Sequence, residues 1–300
     1  MPLEPPPPLG ERMLPDDTFA GKVVCVTGGG TGLGKAIATE FARCGADIAI
    51  VSRDPEHRKA GVEAIEAVGR RALGVALDVR DPDAISACFD VVEKSLGPIA
   101  VLVNNAAGNF EVPAERMSPN AWRSVVGIVL NGTFFCSSEF ARRRIADKQG
   151  GVILNIGAPY AATGGASTSH SAAAKAGVNN LTWSLAVEWA PDNIRINTLA
   201  PGYFPAPDRS GLVEAGATAD NVSAQLAERL KTIPAGRVGE ARELGWAATF
   251  MCSAYANYLT GHVVLLDGAN WLRRGPYPRE FEPIRESFDR RRNERAARGG

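Results

Sequence analysis

Neither sign of charge is in excess in this chain: 33 lysines and arginines balance 33 aspartates and glutamates, leaving a formal net charge of zero. No global field draws such a chain to nucleic acid or to an anionic membrane. Cysteine is scarce, and the five present (Cys25, Cys44, Cys88, Cys136, Cys252) are scattered, with no CxxC and no nearby histidine set. That spacing supports neither a disulfide framework nor a zinc site, and no other metal-ligand set stands out. The expectation is buried thiols in a reducing compartment, by default the cytoplasm. Long hydrophobic runs are missing too: no unbroken stretch approaches the ~20 residues of a membrane helix, so no membrane span is expected. The opening MPLEPPPPLGERMLPDD has no basic-then-apolar order and reads as an extended arm rather than a secretory signal.

What is present is ample apolar material, 45% of 300 residues, arranged in a rhythm. VVCVT (23–27), DIAIV (47–51), LGVAL (73–77), IAVLVN (99–104), GVILNI (151–156), IRINTLA (194–200) and HVVLLD (262–267) are continuous apolar runs. Parallel strands covered on both faces have that pattern. Helical patterns such as GLGKAIATEFARCG, closed by Gly45, lie between them. Repeated strand–helix units predict a doubly wound, Rossmann-type parallel α/β sheet with helices on both faces. No linker interrupts residues 19–271, so one domain is expected, flanked by a proline-rich arm (1–18) and an arginine-rich tail (272–300). Within it, the turn-rich segment near 203–232 falls where ligands bind in open α/β sheets, and reads as a substrate lid or as a surface excursion.

The first strand runs into TGGGTGLG (27–34) and then a helix. Glycines let the backbone approach a phosphate closely, and the helix N-terminus offers unpaired N–H groups and a positive dipole end. Strand before and helix after make this a dinucleotide site. At the end of the second strand, where the adenosine ribose belongs, an acidic residue would select a free 2′-hydroxyl. Ser52 and Arg53 stand there instead and point to NADPH, unless Arg53 is a solvated surface charge; Asp54 follows one residue later.

TGGGTGLG together with NNAAG (104–108), the lysine of AAAKAG and the PG of LAPG (199–202) resembles the short-chain dehydrogenase/reductase family from about Phe19 to Trp271. The resemblance implies seven strands, a nicotinamide cofactor and commonly a homotetramer. It carries cofactor contacts onto Thr27, Gly28, Thr31, Gly32, Leu33, Ser52, Arg53, Asp78, Val79 (the last two at the adenine), Asn105, Ala106, Lys175, Pro201 and Gly202. Asn131 matches the family's mid-helix asparagine, which supports the site. The usual catalytic tyrosine and serine are replaced, however, by Ser171 and Ala158.

Tyr160, two residues past Ala158 in the loop expected after the fifth strand, is the candidate replacement donor, or else it merely packs. A narrower resemblance bears on this. NNAAGNF (104–110), SPNAW (118–122), IVLNGTFF (128–135) and Tyr160 fifteen residues before Lys175 are similar to the 2,4-dienoyl-CoA reductases of mitochondrial type. That subgroup implies catalytic roles for Tyr160, Asn109, Ser171 and Lys175, an acyl-CoA substrate, and NADPH-dependent reduction in the β-oxidation of unsaturated chains. The alternatives are a carbonyl reductase acting on a 3-oxoacyl-CoA or ring ketone, and a non-catalytic NADP-binding protein. His170 reads as structural or as a substrate contact, and the tail's arginines as contacts to CoA phosphates or as a solvated or subunit-packing tail.

Overall fold

Apolar runs with no polar face require cover on both sides, and the central strands of the sheet receive it while its two edge strands are only partly covered. The computed structural model describes residues 3–7, 12–205, 230, 233–272 and 284–298. Within these, β1 (Val23–Thr27), β2 (Asp47–Ser52), β3 (Ala72–Ala76), β4 (Ile99–Asn104), β5 (Gly151–Ile156), β6 (Ile194–Pro201) and β7 (Val263–Leu266) form one sheet. All pairings are parallel, in the order β3-β2-β1-β4-β5-β6-β7. The chain reverses its direction of winding between β1 and β4, the switch point at which open α/β sheets form their ligand crevice.

Every residue of β1 and β6 is buried. One face packs on Ile37 and Phe41 of α1 (Gly32–Arg43) and on Leu244 and Met251 of α8 (Ala241–Cys252). The other packs on Ile85 and Phe89 of α3 (Pro82–Leu96), Phe140 of α5 (Gly132–Ala146) and Leu185 of α7 (Ser169–Trp189). All five cysteines are buried and unpaired.

Several helix starts are written in adjacent residues. Asp54, Asp81 and Ser118 cap α2 (Pro55–Glu66), α3 and α4 (Pro119–Val126), each followed by a proline at the first helical position. Such residues satisfy N–H groups that have no intrahelical partner, and proline there loses nothing. Glu240 and Glu243 form a capping box on α8. By contrast, Thr31 before α1 and Thr168 before α7 make no capping hydrogen bond with their side chains. Those two helices open beside the site described below.

Three features differ from the sequence reading. Tyr160 lies not in a loop but at the start of a single helical turn, α6 (Tyr160–Thr163). A π-helical turn, Gly127–Asn131, joins α4 to α5. The resulting helical run, Pro119–Ala146, is long and apolar enough to cross a membrane by length and composition, although no single apolar run predicts it. It packs along the sheet through α5, and 44% of its most apolar window is buried inside the domain. In the expected arm, Leu14 is buried in the first core and the Leu3 N–H bonds to the Ala235 carbonyl at 2.8 Å. Most of the expected lid, residues 206–229 and 231–232, lies outside the described residues.

Candidate active site

Parallel strands place all their carboxyl ends on one rim, and the candidate residues follow those ends. Thr27 closes β1 with its hydroxyl accepting the N–H groups of Asn105 and Ala106, both at 3.0 Å. The Asn105 amide donates back to the Thr27 and Gly28 carbonyls at 3.0 and 3.1 Å. Thr27 and Asn105 thus lock the glycine loop to the loop after β4. Gly28 has φ +64°, a conformation glycine adopts without strain. A Cβ on Gly34 would stand 2.4 Å from the Asn105 amide nitrogen and from the Gly28 carbonyl. Sterics therefore demand glycine at both positions, and Gly32 and Leu33 then begin α1 after an N-cap, Thr31, whose side chain makes no capping hydrogen bond. A helix start beside a close-packed glycine loop fits a dinucleotide pyrophosphate.

Arginines gather at the ends of β2 and β3. Arg53, beside the half-buried Ser52, is 60% exposed, and its guanidinium meets Asp78 at 3.8 Å. Arg58 donates to the Ser52 and Arg53 carbonyls, both at 2.8 Å. Arg80 grips both oxygens of Asp78, with its shortest contact at 2.5 Å, and these hydrogen bonds hold the Asp78 carboxyl below its usual range. Neither Arg58 nor Arg80 was read from the sequence, though the RDPEHR and DVRD spacings around them signal the cluster. Asp54 caps α2, with its Oδ1 accepting the Glu56 and His57 N–H groups at 2.8 and 3.2 Å. The buried Val79 packs on Gly132, where an added Cβ would stand 2.6 Å from its methyl.

The reacting end lies beyond β5. Tyr160 Oη and Ser171 Oγ are 3.0 Å apart, one from α6 and the other from the first turn of α7. Lys175, one turn further along α7 and buried, donates to the Ile156 carbonyl at the end of β5. Burial pulls its ammonium down from 10.5 to about 8, because a low-dielectric setting disfavours charge. Ala158 is buried and brings no hydroxyl. Pro201 ends β6, and Gly202 follows with its N–H on the Leu266 carbonyl at 2.9 Å. A cavity of about 190 Å³ opens beside it, lined in part by Tyr203, Phe204, Leu266 and Asp267.

A buried polar chain that the sequence reading missed supports this end. Asn104 donates to Ser137 and Asn155, Asn155 to Thr182, and Thr182 bonds Thr198, all at 2.8–2.9 Å. It ties β4, β5, β6, α5 and α7 together beneath Lys175. These bonds rigidify what they join, although the buried Asn104 Oδ1 at the head of the chain has no partner among the described residues.

Asn109 stands apart. It is exposed on the loop after β4 and makes no hydrogen bond among the described residues. Its neighbour Phe110 packs edge-on against His170, with ring centroids 4.5 Å apart. Val112 N–H bonds the Ser167 carbonyl at 2.8 Å, which ties this loop to the start of α7. His170 is fully buried, and neither ring nitrogen has a hydrogen-bond partner among the described residues. Asn131 lies in the π turn with its side chain exposed.

The family described as short chain dehydrogenase matches residues 22–215. A probable 2,4-dienoyl-CoA reductase of Bacillus subtilis, named as producing the (2E)-enoyl-CoA, is 41% identical over 258 residues, 86% of this chain and 98% of its own. The peroxisomal 2,4-dienoyl-CoA reductase of Pongo abelii, named as producing the (3E)-enoyl-CoA, is 39% identical over 90% of this chain and 93% of its own. Among solved structures, a putative 2-deoxy-d-gluconate 3-dehydrogenase of Agrobacterium tumefaciens with bound NADP superposes with a TM-score of 0.76 at 31% identity, covering 86% of this chain and 99% of that one.

Proposed function

This chain is an oxidoreductase of the short-chain dehydrogenase family, and we propose that within it the protein reduces a conjugated 2,4-dienoyl-CoA with NADPH. One observation carries the reading: the Tyr160–Ser171 pair at 3.0 Å, one helical turn from a buried Lys175, where the family's ordinary tyrosine and serine are absent. The phenol has moved, and its partner hydroxyl has moved with it.

The cofactor fits the residues present. The glycine loop and the start of α1 would hold its pyrophosphate, Ser52 and Arg53 its 2′-phosphate, Lys175 its nicotinamide ribose, and Asp78 and Val79 would border its adenine. When bound, NADPH supplies a hydride. Addition of hydride to the δ-carbon of the dienoyl thioester moves electrons through the conjugated bonds onto the thioester oxygen. Tyr160 donates a hydrogen bond to that oxygen, oriented by Ser171, and Asn109 donates a second from the facing loop. Donors placed where charge develops stabilise the transition state by ~3–4 kcal/mol each. A proton from water then adds at the α-carbon, leaving the remaining double bond between the β- and γ-carbons, the (3E) product. Lys175 adds positive charge beneath the site and need not exchange a proton with substrate.

Exposed apolar side chains support a homotetramer as part of the same reading. Trp122, Phe134, Trp183 and Val187 lie on α4, α5 and α7, Phe250 lies on α8, and Tyr255 and Tyr258 lie between α8 and β7. The five unpaired thiols accord with a cytoplasmic location.

Loss of the dienoyl chromophore with NADPH and a 2,4-dienoyl-CoA is the test. The alternative, a carbonyl reductase using Tyr160 as proton donor, gives a new hydroxyl from a 3-oxoacyl-CoA instead and leaves the dienoyl absorption untouched.

A further inference from the structure

We propose that the C-terminal helix α9 (Ile284–Arg298) is a positioning strap for the loop that carries Asn109, held chiefly through Arg291–Glu111 and Arg116–Asp289. The role assigned to Asn109 comes from the functional reading above; the strap itself rests on contacts. The loop leaving β4 has no regular structure from 105 to 113. It is pinned at its start by Asn105 and further on by the Val112–Ser167 bond, and Asn109 lies between those two pins without a hydrogen bond among the described residues.

Past Asn109, the charged side chains up to residue 116 all reach one helix. Arg291 donates to Glu111 at 2.7 Å. Arg285 donates to Glu115 at 2.9 Å. Arg116 meets Asp289 through both of its terminal nitrogens, at 2.5 and 2.8 Å, and lies over the Phe288 ring. The signs alternate, with two loop acids on helix arginines and one loop arginine on a helix acid. Sliding the helix by a turn therefore brings like charges together. The arginines of this tail that face the loop are engaged by carboxylates, so the pairing fixes a register and does not form an open anion-binding patch.

Magnitude decides what such a device does. Exposed pairs are individually weak and screened by salt, but a bidentate arginine–carboxylate pair and its neighbours act on the same short loop. The docked state is thus favoured at low ionic strength and released at high ionic strength. Release leaves the fold intact, because no described residue of α9 belongs to any of the three core clusters. Asn109 then loses its fixed position, and the effect falls on the chemical step and not on cofactor binding.

Full-length Arg291→Glu, Glu111→Arg and the doubly reversed variant test this. Three quantities are read: hydrogen exchange across residues 109–117, NADPH affinity, and kcat with a dienoyl-CoA. Arg291→Glu is expected to speed exchange in that segment and lower kcat about tenfold at low salt, with NADPH affinity within about twofold of wild type. The double reversal restores most of both losses, and 1 M NaCl moves wild type toward the single variant. Unchanged exchange in Arg291→Glu, or a double variant no better than the single ones, overturns the strap. Should wild type leave dienoyl-CoA unreduced, the functional reading falls, and exchange with its charge-reversal rescue still decides the strap.

Discussion

Replacing Lys175 with methionine isolates the energetic consequence of burying an amine under β5. The lysine's fall from 10.5 to about 8 corresponds to about 3 kcal/mol at ~1.4 kcal/mol per pKa unit. The sign follows from proton counting. Between pH 8 and 10.5 the unfolded chain holds a proton that the folded chain has released, so stability rises with pH across that window. Below pH 8 the destabilisation is present in full. Methionine matches the stem and removes the charge, but it leaves the Ile156 carbonyl without this donor, which returns about 1 kcal/mol. Lys175→Met without cofactor is therefore expected to be more stable than wild type at pH 7, by about 2 kcal/mol. That advantage shrinks at up to ~1.4 kcal/mol per pH unit above pH 8. Urea unfolding of both proteins at pH 7, 8, 9 and 10 measures it. A stability difference that does not vary with pH would refute the reasoning, since it would mean that the free enzyme keeps Lys175 solvated and charged throughout. The same variant should have lost turnover, which separates what the lysine does for the reaction from what it does to the fold.

Other consequences can be checked alongside. Arg53→Asp removes the open guanidinium at the end of β2 and should lower kcat/KM for NADPH by about 10–100-fold while raising it for NADH; unchanged preference would assign the phosphate to another group. His170→Leu removes a buried ring with two unpartnered nitrogens and should stabilise the protein by about 1–2 kcal/mol in thermal or chemical unfolding. A loss of stability there would mean that the imidazole is hydrogen-bonded in solution. Val187→Glu places a charge on α7 at a side chain that is 79% exposed and is expected to reduce the mass seen by light scattering; an unaltered mass argues that this face stays free of partner subunits.

The sheet was legible because strands covered on both faces carry an unmistakable composition. VVCVT, IAVLVN and GVILNI coincide with β1, β4 and β5 to the residue, and the other four differ by one residue at one or both ends. The glycine loop was equally legible, since its requirements are steric and local. Side-chain choices between partners were not. Asp54 looks like a ribose ligand in a linear reading, and only the geometry of α2 shows its carboxylate capping that helix. The Asn104–Asn155–Thr182–Thr198 chain joins residues up to 51 positions apart in a single bond, so no periodicity announces it. The pairing of α9 with residues 111–116 spans 170–180 positions and likewise leaves only an arginine-rich composition to read. Tyr160 is the sequence's candidate for a displaced phenol, and its bond to Ser171 is a contact that adjacency in sequence cannot supply.

The central claim is that a relocated phenol holds a thioester oxygen while the δ-carbon of a diene is reduced. Product analysis of wild type and Tyr160→Phe with NADPH and a 2,4-dienoyl-CoA tests it most directly. The account predicts that wild type consumes the diene to the (3E)-enoyl-CoA and that Tyr160→Phe does so about 100–1,000 times more slowly. Equal rates from the two proteins, or a hydroxyl product from a 3-oxoacyl-CoA with the diene untouched, would contradict it.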